Sequence, residues 1–330
     1  MYSDKPINLF YQEPDPDRWF KYDRYPRRII RRLIRGKQRP GGVGMVAINL
    51  MKGLDKIGVP YRLNDYGYIK KHPKEIACII GKPHVLFDRN WVNPILFGAG
   101  VYSHPVEHPK LMIEYPMLKR MLVPGEWMRR MFEPYYHDQV SAWPVGIDTD
   151  TWAPDIKDEP RFDFLIYDKV RWEHDKYQAD LIDPICRTLD SRPLTYQFIR
   201  YGHYAPDELK EKLKYSKSVI FLCEHETQGL AYQQILSTGT PILAWDRGNY
   251  WQDPQYYPEI KYSPVSSVPY WDDRCGIKFT GIEEFESKLD TFLTIVNTFH
   301  PRAYILENLT LEKCAQNYLD IYHQVEEELG

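Results

Sequence analysis

The stretch that decides the fold is CEHETQGLAYQQILSTGTPI, residues 223–242. It joins the end of an apolar run at residues 218–223, a helical pattern at residues 229–238, and a Gly-Thr-Pro turn into a second apolar run at residues 241–245. In open α/β sheets, ligands bind beyond the carboxyl ends of the strands, and the first turn of a helix offers free N–H groups to an anion. The polar loop between strand and helix is therefore predicted to bind a ligand, with the Glu226 carboxylate as a hydrogen-bond acceptor at its mouth.

The same alternation of strands and helices extends over both halves of the chain. Short continuous apolar strands between helices are typical of parallel sheets that are covered on both faces. Residues 148–160 are rich in Asp and Pro and are predicted to form a linker. The pattern therefore predicts an α/β protein with two doubly wound domains. Further strands are predicted at residues 7–11, 59–63, 76–80, 85–87, 95–97, 121–123, 162–167 and 194–199, and further helices at residues 45–54, 177–189 and 206–215.

Length and composition narrow the class of protein. A chain of 330 residues predicts about two domains, and a hydrophobic content of 43% with 15% aromatic residues argues against a disordered chain. No run approaches the roughly 20 apolar residues that a membrane-spanning helix needs, and the polar N-terminus lacks the apolar core of a secretory signal. Five scattered cysteines without CxxC spacing predict neither a disulfide framework nor a zinc site. We expect a cytoplasmic protein.

One segment of the chain carries a strong positive charge. Eight of the 43 lysines and arginines lie at residues 24–39, where there is no acid, which leaves 35 basic residues against 46 acidic ones elsewhere. Residues 26–35 fit an amphipathic helix with isoleucine and leucine on one face and arginines on the other. A solvated helix face and docking on an anionic membrane surface are both open interpretations, whereas the acidic remainder disfavours nucleic-acid binding. The arginines of this face are Arg27, Arg28, Arg31, Arg32 and Arg35.

The stretch at residues 223–242 resembles the signature loop of the retaining GT-B glycosyltransferases of the family-4-like group (glycosyl transferases group 1). That pattern has two glutamates separated by seven residues, with Gly-Leu between them and a small-Gly-x-Pro turn after them. Gln234 takes the place of the second glutamate, which in the family holds the nucleotide ribose, and an amide can still donate and accept hydrogen bonds there. The residues in register are Glu226, Gly229, Leu230, Gly239 and Pro241.

Four further segments resemble the same family in the expected order along the chain. They are the strand and helix at residues 121–132, the interdomain entry at residues 144–154, the glycine loop at residues 41–43 and the C-terminal helix at residues 309–322. The resemblance implies a GT-B fold, with two Rossmann-like domains facing a central cleft and a C-terminal helix that crosses back to the first domain. It places an acceptor-side domain at 1–150, a nucleotide-sugar-binding domain at 151–308 and the returning helix at 309–330.

The resemblance also implies roles for individual residues. A basic pair after the first strand of the second domain grips the donor diphosphate, and Lys169 and Arg171 are the best match, with Lys176 as a third candidate. Thr227, Gly229, Leu230 and Gln234 are expected at the donor. His104 is the best match to a histidine near the reacting sugar, and His108 is the second. Gly41 and Gly42 are expected in the acceptor-side loop.

Ordinary structural roles stay open beside each of these functional ones. Glu226, Lys169 and Arg171 could be solvated surface charges, and His104 could serve packing alone. The sequence Asp148-Thr149-Asp150 has the spacing of a metal-binding motif, but in a linker we expect helix capping and solvation, so no metal is assigned. Several aromatic residues could stack on a nucleobase or a sugar, with core packing as the default. They are Tyr250, Trp251, Tyr256 and Tyr257.

The predicted function is that of a metal-independent glycosyltransferase. It transfers a sugar from a nucleoside-diphosphate sugar to a hydroxyl acceptor with retention of configuration, and it needs no cofactor. We expect a glycan or lipid-linked acceptor from surface polysaccharide or glycolipid synthesis, and a peripheral location on the inner face of the membrane. Two alternatives remain: a non-catalytic nucleotide-sugar or glycan-binding protein on the same fold, and a nucleotide-sugar epimerase.

Overall fold

The computed structural model describes residues 5–12, 26, 42–100 and 102–330. These residues divide into two compact units. The first contains the described residues up to Pro124, together with Arg129–Trp143 and Cys314–Gly330. The second contains Gly125–Met128 and Pro144–Lys313. The segments at both ends of the chain therefore belong to one unit.

The first unit contains a six-stranded parallel sheet with the strand order β2-β1-β3-β4-β5-β6 in its described part. Its strands are β1 (Ile7–Phe10), β2 (Tyr61–Leu63), β3 (Ala77–Ile79), β4 (Ile95–Gly98), β5 (Leu118–Val123) and β6 (Val140–Ala142). The α-helices that precede or connect these strands are α1 (Gly42–Lys56), α2 (Tyr66–Lys71), α3 (His84–Phe87), α4 (Leu111–Glu114) and α5 (Glu126–Tyr136).

The strands of this sheet form where the sequence has short, uninterrupted apolar runs. Every residue of β1, β3 and β4 is buried, which is the pattern of parallel strands that are covered on both faces. The predicted strand at residues 85–87 is wrong, because these residues lie in α3, with Val85 and Leu86 buried. A short apolar run has no periodicity that separates a buried strand from a buried helical turn.

The C-terminal helix α12 (Leu311–Leu329) supplies part of the core of the first unit. The Trp143 indole Nε1 donates a hydrogen bond to the backbone oxygen of Cys314 at 2.9 Å. The same indole packs edge-on against Tyr318, with 5.0 Å between the ring centroids. Buried residues recur along α12 at helical spacing, so one face of the helix is apolar. They are Cys314, Ala315, Tyr318, Leu319, Tyr322 and Val325.

The second unit contains a five-stranded parallel sheet with the order β11-β10-β9-β7-β8 in its described part. Its strands are β7 (Phe162–Asp168), β8 (Tyr196–Arg200), β9 (Ser216–Leu222), β10 (Ile242–Trp245) and β11 (Gly276–Phe279). Its α-helices are α6 (His174–Tyr177), α7 (Asp183–Ser191), α8 (Pro206–Lys214), α9 (Leu230–Ser237), α10 (Ile282–Ile295) and α11 (Pro301–Asn308).

The chain reverses its direction of winding between β7 and β9. It runs from β7 to β8 on one side of β7 and then crosses back to place β9 on the other side. Open α/β sheets bind ligands at such a switch point, beyond the carboxyl ends of the strands. One face of the sheet is covered by apolar side chains from α7 and α10, including Ile185, Leu189, Phe285, Leu289 and Phe292.

Two sequence predictions concern residues that the structure does not describe. The predicted basic helix has only residue 26 within the described part, and its arginines, Arg27, Arg28, Arg31, Arg32 and Arg35, lie outside the described residues, as does Gly41.

Strand β11 was not predicted, and the long connection before it, between Trp245 and Gly276, has neither helix nor strand. Within the described ranges, no helix combines the length and the apolar composition needed to cross a bilayer.

We expect Trp143→Ala to lower the free energy of unfolding by about 3–5 kcal/mol, because the indole is buried between β6 and α12. Trp143→Phe keeps an aromatic ring against Tyr318 but loses the hydrogen bond to Cys314, and it should cost about 1 kcal/mol. Urea denaturation of the three proteins measures both losses. Equal stability of the Trp143→Ala variant and the parent would contradict this account of how α12 is held.

Candidate functional site

The loops that follow β7 and β9 lie side by side at the switch point of the second unit. Asp168 and Leu222, the last residues of these strands, are partners in the parallel register. The backbone N–H of Lys169 donates to the backbone oxygen of Leu222 at 2.7 Å, so the pairing continues one residue past β7. Because adjacent parallel strands end at the same edge, residues 169–172 and 223–229 meet there.

A buried ion pair joins the two loops. Lys169 Nζ donates to Glu226 Oε1, and the side chains are only 11% and 7% exposed. Burial alone lowers the pKa of Lys169, but the negative charge of Glu226 outweighs that effect, so the pKa is raised above its ordinary value. The ammonium also lies 4.4 Å from the centroid of the Tyr201 ring. The structure thus brings together two of the predicted site residues as a charged pair.

Glu224 shapes the loop that carries the second predicted cation. Its Oε1 accepts hydrogen bonds from the backbone N–H groups of Arg171 at 2.8 Å and Trp172 at 2.9 Å. The Arg171 guanidinium donates through Nη2 to the backbone oxygen of His225 at 3.2 Å and remains one-third exposed. Glu224 was missed in the sequence analysis, although the alternation Glu-His-Glu at residues 224–226 marks two acids on the same side of a strand end.

The start of α9 requires glycine. Gly229 has a φ of +74°, and a Cβ on it would lie 2.0 Å from Cε1 of the Tyr232 ring. A side chain here is therefore excluded both by backbone conformation and by space. The first turn of α9 follows with Leu230, and its N–H groups have no partners within the helix. Such a helix start, next to Glu226 and Lys169, is a favourable position for an anion.

His225 is a neutral, buried histidine surrounded by tryptophans. It is 3% exposed, and its ring centroid lies 5.7 Å from that of Trp127, 5.1 Å from Trp172 and 6.4 Å from Trp251. Burial lowers its pKa well below the ordinary value, and the positive charges of Arg171, Arg247 and Lys169 lower it further. The imidazole is therefore uncharged over the neutral pH range.

The backbone of Glu226 is fixed from both sides. Its N–H donates to the backbone oxygen of Ser266 at 2.9 Å, and its backbone oxygen accepts from Trp127 Nε1 at 2.9 Å. Farther along the loop, the Gln228 side chain bonds both backbone groups of Val145, and Gln233 Nε2 donates to the backbone oxygen of Gln228 at 2.7 Å. Trp127, Gln228 and Gln233 were not predicted, because only the folded chain shows what their polar atoms meet.

The remaining donor-side predictions lie in the same unit but are less enclosed. Gln234 is half-buried on α9, and no hydrogen bond of its amide is found within the part of the chain that the structure describes. Thr227 is half-buried in the loop before α9. Lys176 is exposed on α6, with its ammonium 5.7 Å from the Tyr177 ring centroid. Among the described residues, no three His, Cys, Asp or Glu side chains form a group that could hold a metal ion.

The predicted acceptor-side residues lie in the first unit. Gly42 opens α1. His104 is buried, its Nδ1 accepts from the backbone N–H of Val106 at 3.1 Å, and burial lowers its pKa. His108 is engaged through both ring nitrogens, with Nε2 2.7 Å from Glu114 Oε2 and Nδ1 3.3 Å from the Tyr102 hydroxyl. Both histidines thus have structural contacts of their own.

Comparisons with known proteins identify the fold. No protein-family model matches the sequence, and no curated protein matches it. The chain is similar in structure to a sucrose-phosphate synthase from Thermosynechococcus elongatus, with a TM-score of 0.57 and 11% identity, over 98% of this chain and 100% of that chain. It is also similar to the apo form of the lipopolysaccharide outer core galactosyltransferase WaaB, with a TM-score of 0.55 and 13% identity, over 97% and 100% of the two chains.

A further similarity is to the accessory secretory protein 1,2 and 3 structure of Streptococcus pneumoniae, with a TM-score of 0.50 and 15% identity. It covers 80% of this chain and 55% of that one, so the chain spans about half the length of that protein. The two parallel sheets with alternating helices match the GT-B arrangement of two Rossmann-like domains, and the predicted fold class is confirmed.

We expect Lys169→Met to lower the free energy of unfolding by about 3–5 kcal/mol, because it leaves the buried Glu226 carboxylate without its cation. Adding Glu226→Gln to that variant should recover a large part of the loss, since the unpaired charge is then gone. Urea denaturation of the parent, both single variants and the double variant gives the free energies of unfolding for this double-mutant cycle. Strictly additive losses would show that the two charges do not stabilise each other.

We expect the stability of the protein to fall as the pH is lowered from 7 to 5. The pKa of His225 is depressed in the folded chain, so the unfolded chain takes up its proton first, below its ordinary value of about 6.5. The contribution is at most about 1.4 kcal/mol per pH unit, and His104 acts in the same direction. His225→Gln should flatten the decline in urea denaturation, whereas a change at the exposed His203 should not. An unchanged slope in His225→Gln would contradict the assignment.

Proposed function

We propose that the protein is a glycosyltransferase that moves a sugar from a nucleoside-diphosphate sugar to a hydroxyl acceptor. The observation that carries this proposal is the buried Lys169–Glu226 pair at the switch point of the second unit, beside the glycine start of α9. The cation and the helix N-terminus suit the diphosphate of such a donor, and the carboxylate suits the hydroxyl groups of its sugar. Two proteins of similar structure, a galactosyltransferase and a sucrose-phosphate synthase, support the same reaction class.

Lys169 and Arg171 serve the leaving group in this proposal. Cleavage of the bond between the sugar and the diphosphate leaves negative charge on the phosphate oxygens. Two cations and the first N–H groups of α9 stabilise that charge without a metal ion. Because Arg171 is anchored through its backbone to Glu224, its guanidinium is held near the strand edge before the donor arrives.

Glu226 serves the sugar. Its carboxylate can accept hydrogen bonds from two sugar hydroxyls, which orients the ring and its anomeric carbon. In the structure the Lys169 ammonium donates a hydrogen bond to this carboxylate. A bound diphosphate competes for the same ammonium, so donor binding exchanges one counter-ion of Lys169 for another and releases Glu226 to the sugar. Gln234, Thr227, Leu230 and Lys176 complete the proposed donor side, with Gln234 at the ribose.

The finer parts of the proposal concern the acceptor and the surroundings. His104, Gly41 and Gly42 are proposed to face the acceptor. We infer that the acceptor is a glycan or a lipid-linked glycan of surface polysaccharide or glycolipid synthesis, and that the sugar is transferred with retention of configuration. The lipopolysaccharide galactosyltransferase among the neighbours supports this acceptor class. The basic residues at 27–35 are proposed to hold the protein on an anionic membrane surface at the inner face of the membrane.

The test is turnover of a panel of nucleotide sugars with the parent chain and Glu226→Gln, in the presence of hydroxyl acceptors. We expect the variant to lose at least a hundredfold in rate, because an uncharged amide cannot replace the carboxylate at the sugar. Glu159→Gln removes an exposed acid before β7, at the opposite edge of the sheet, and should leave turnover unchanged.

Three outcomes would contradict the proposal in different ways. Full activity of the Glu226→Gln variant would show that the Glu226 carboxylate does not bind the sugar. Tight nucleotide binding without turnover of any donor favours the non-catalytic binding protein. Conversion of the donor into another nucleotide sugar without an acceptor favours the epimerase.

A further inference from the structure

Arg247, next to the proposed donor site, has two N–H groups on one edge of its guanidinium that are without a partner among the described residues. It follows β10, the strand beside β9, and its Nη1 donates to the Tyr177 hydroxyl at 2.7 Å. Its Nε and Nη2 are buried and have no hydrogen-bond partner in the described part of the chain. These two N–H groups point from the same edge of the planar guanidinium, which is the edge that binds both oxygens of a carboxylate or phosphate.

A second unused donor lies in the neighbouring loop. His225 Nδ1 is 3.5 Å from Arg171 Nη2, which can only donate, so the imidazole proton resides on Nε2. That Nε2 is buried and, among the residues that the structure describes, has no partner. The positive charge of Arg247 contributes to the lowered pKa of this imidazole. The Ser267 hydroxyl, fully buried, is likewise without a partner within the described ranges.

Among the described residues at the carboxyl ends of these strands, the cation Arg247 has no carboxylate beside it. Lys169 is paired with Glu226, Arg171 lies 3.8 Å from Glu224, and Lys278 is paired with Asp246 at 2.9 Å. No carboxylate of the described chain lies within ion-pair distance of Arg247. The guanidinium carbon lies 5.6 Å from the centroid of the Trp245 ring, so the charge has a cation–π contact but no anion, and its two buried N–H groups lack hydrogen bonds that a ligand oxygen can supply. One carboxylate group of a ligand supplies the negative charge that Arg247 lacks.

Arg247 comes from a different strand end than the proposed diphosphate cations, but its guanidinium reaches Tyr177 of α6, the helix that follows β7. Lys169 and Arg171 follow β7, whereas Arg247 follows β10, and the β9 loop with His225 and Glu226 lies between them. The donors left free for an oxyanion are those of Arg247 and of His225, the residue before Glu226, whereas Lys169 and Arg171 already lie beside acids. Tryptophans around His225 supply the apolar walls that small-molecule sites use for the rest of a ligand.

The connection from Asp246 to Cys275 covers this region. It has no helix or strand, yet its Ser266 and Trp251 contact the β9 loop, the former by accepting from the Glu226 N–H. Long irregular connections in compact domains are commonly binding loops or lids. Because Nε and Nη2 of Arg247 are buried, a ligand reaches them only when neighbouring residues move.

We propose that Arg247 and His225 bind a carboxylate on the transferred sugar, so that the donor is the nucleotide derivative of a uronic acid. The carboxylate accepts two N–H groups from Arg247 and one from His225 Nε2, while Glu226 holds hydroxyl groups of the same ring. This inference rests on the proposed donor site and adds the class of sugar to it.

The test compares matched donors that differ only at the acidic group: UDP-glucose with UDP-glucuronate and GDP-mannose with GDP-mannuronate, beside free UDP and GDP. Calorimetry and turnover of the parent chain should favour the uronate of a pair at least tenfold. Arg247→Gln should abolish that preference and leave the affinity for the free nucleoside diphosphate unchanged. Arg247→Lys keeps the charge but loses the bidentate edge, so an intermediate preference is expected.

Arg192→Gln is the matched control. It also removes one arginine of the second unit, but Arg192 precedes β8 at the opposite edge of the sheet, where it pairs with Glu286 and Asp290. It should keep the full preference for the uronate. Thermal unfolding of Arg247→Gln checks the fold, and we expect a melting temperature within a few degrees of the parent, because removal of two buried donors without partners offsets the loss of the hydrogen bond to Tyr177.

Two results overturn the acidic-sugar inference alone: a parent chain that binds the nucleotides but does not distinguish the members of either pair, or an Arg247→Gln variant that loses affinity for the free nucleoside diphosphate to the same extent. The second result assigns the guanidinium to the diphosphate. Absence of binding of every nucleotide and nucleotide sugar overturns the proposed function itself, and the sugar class with it.

Discussion

The parallel pairing of β7 with β9 is the constraint on which the candidate site depends. It sets Asp168 opposite Leu222 and carries the backbone pairing one residue farther, to Lys169. Because the chain visits β8 before it returns to β9, no connection crosses the top of this pair, and the two loops are free to form a site. The ion pair between Lys169 and Glu226, and the support of Arg171 by Glu224, follow from that neighbourhood.

Buried charge is handled differently on the two sides of the β9 loop. On the β7 side, each cation has an acid of the same chain beside it, although Glu224 Oε2 is buried without a hydrogen-bond partner among the described residues. On the β10 side, Asp246 is satisfied by Lys278, Ser266 and the Ser267 N–H, while Arg247 and the His225 Nε2 keep donors without partners. The first side resembles a preformed binding surface, and we propose that a ligand group completes the second.

The sequence predicted the α/β fold class and the strand–loop–helix order around residues 223–229, because these depend on local patterns. Apolar runs of strand length, helices of 3.6 periodicity and a glycine before α9 each report on the residues that carry them. The same kind of pattern failed at residues 85–87, where a buried helical turn, α3, has the composition of a strand. It also could not show Glu224, Trp127, Gln228 or Arg247 as site residues, because their partners are distant in the chain.

Glu226 and Lys169 illustrate the division most clearly. The sequence by itself determined that an acid follows one strand and a base follows another in a doubly wound chain. Only the tertiary structure decided that the two meet as one buried pair, that His225 is neutral between three tryptophans, and that Arg247 is left with unpaired donors. The physical reason is that strand order, burial and the pairing of charges are properties of contacts between distant segments, whereas periodicity and turn chemistry are properties of neighbours in the chain.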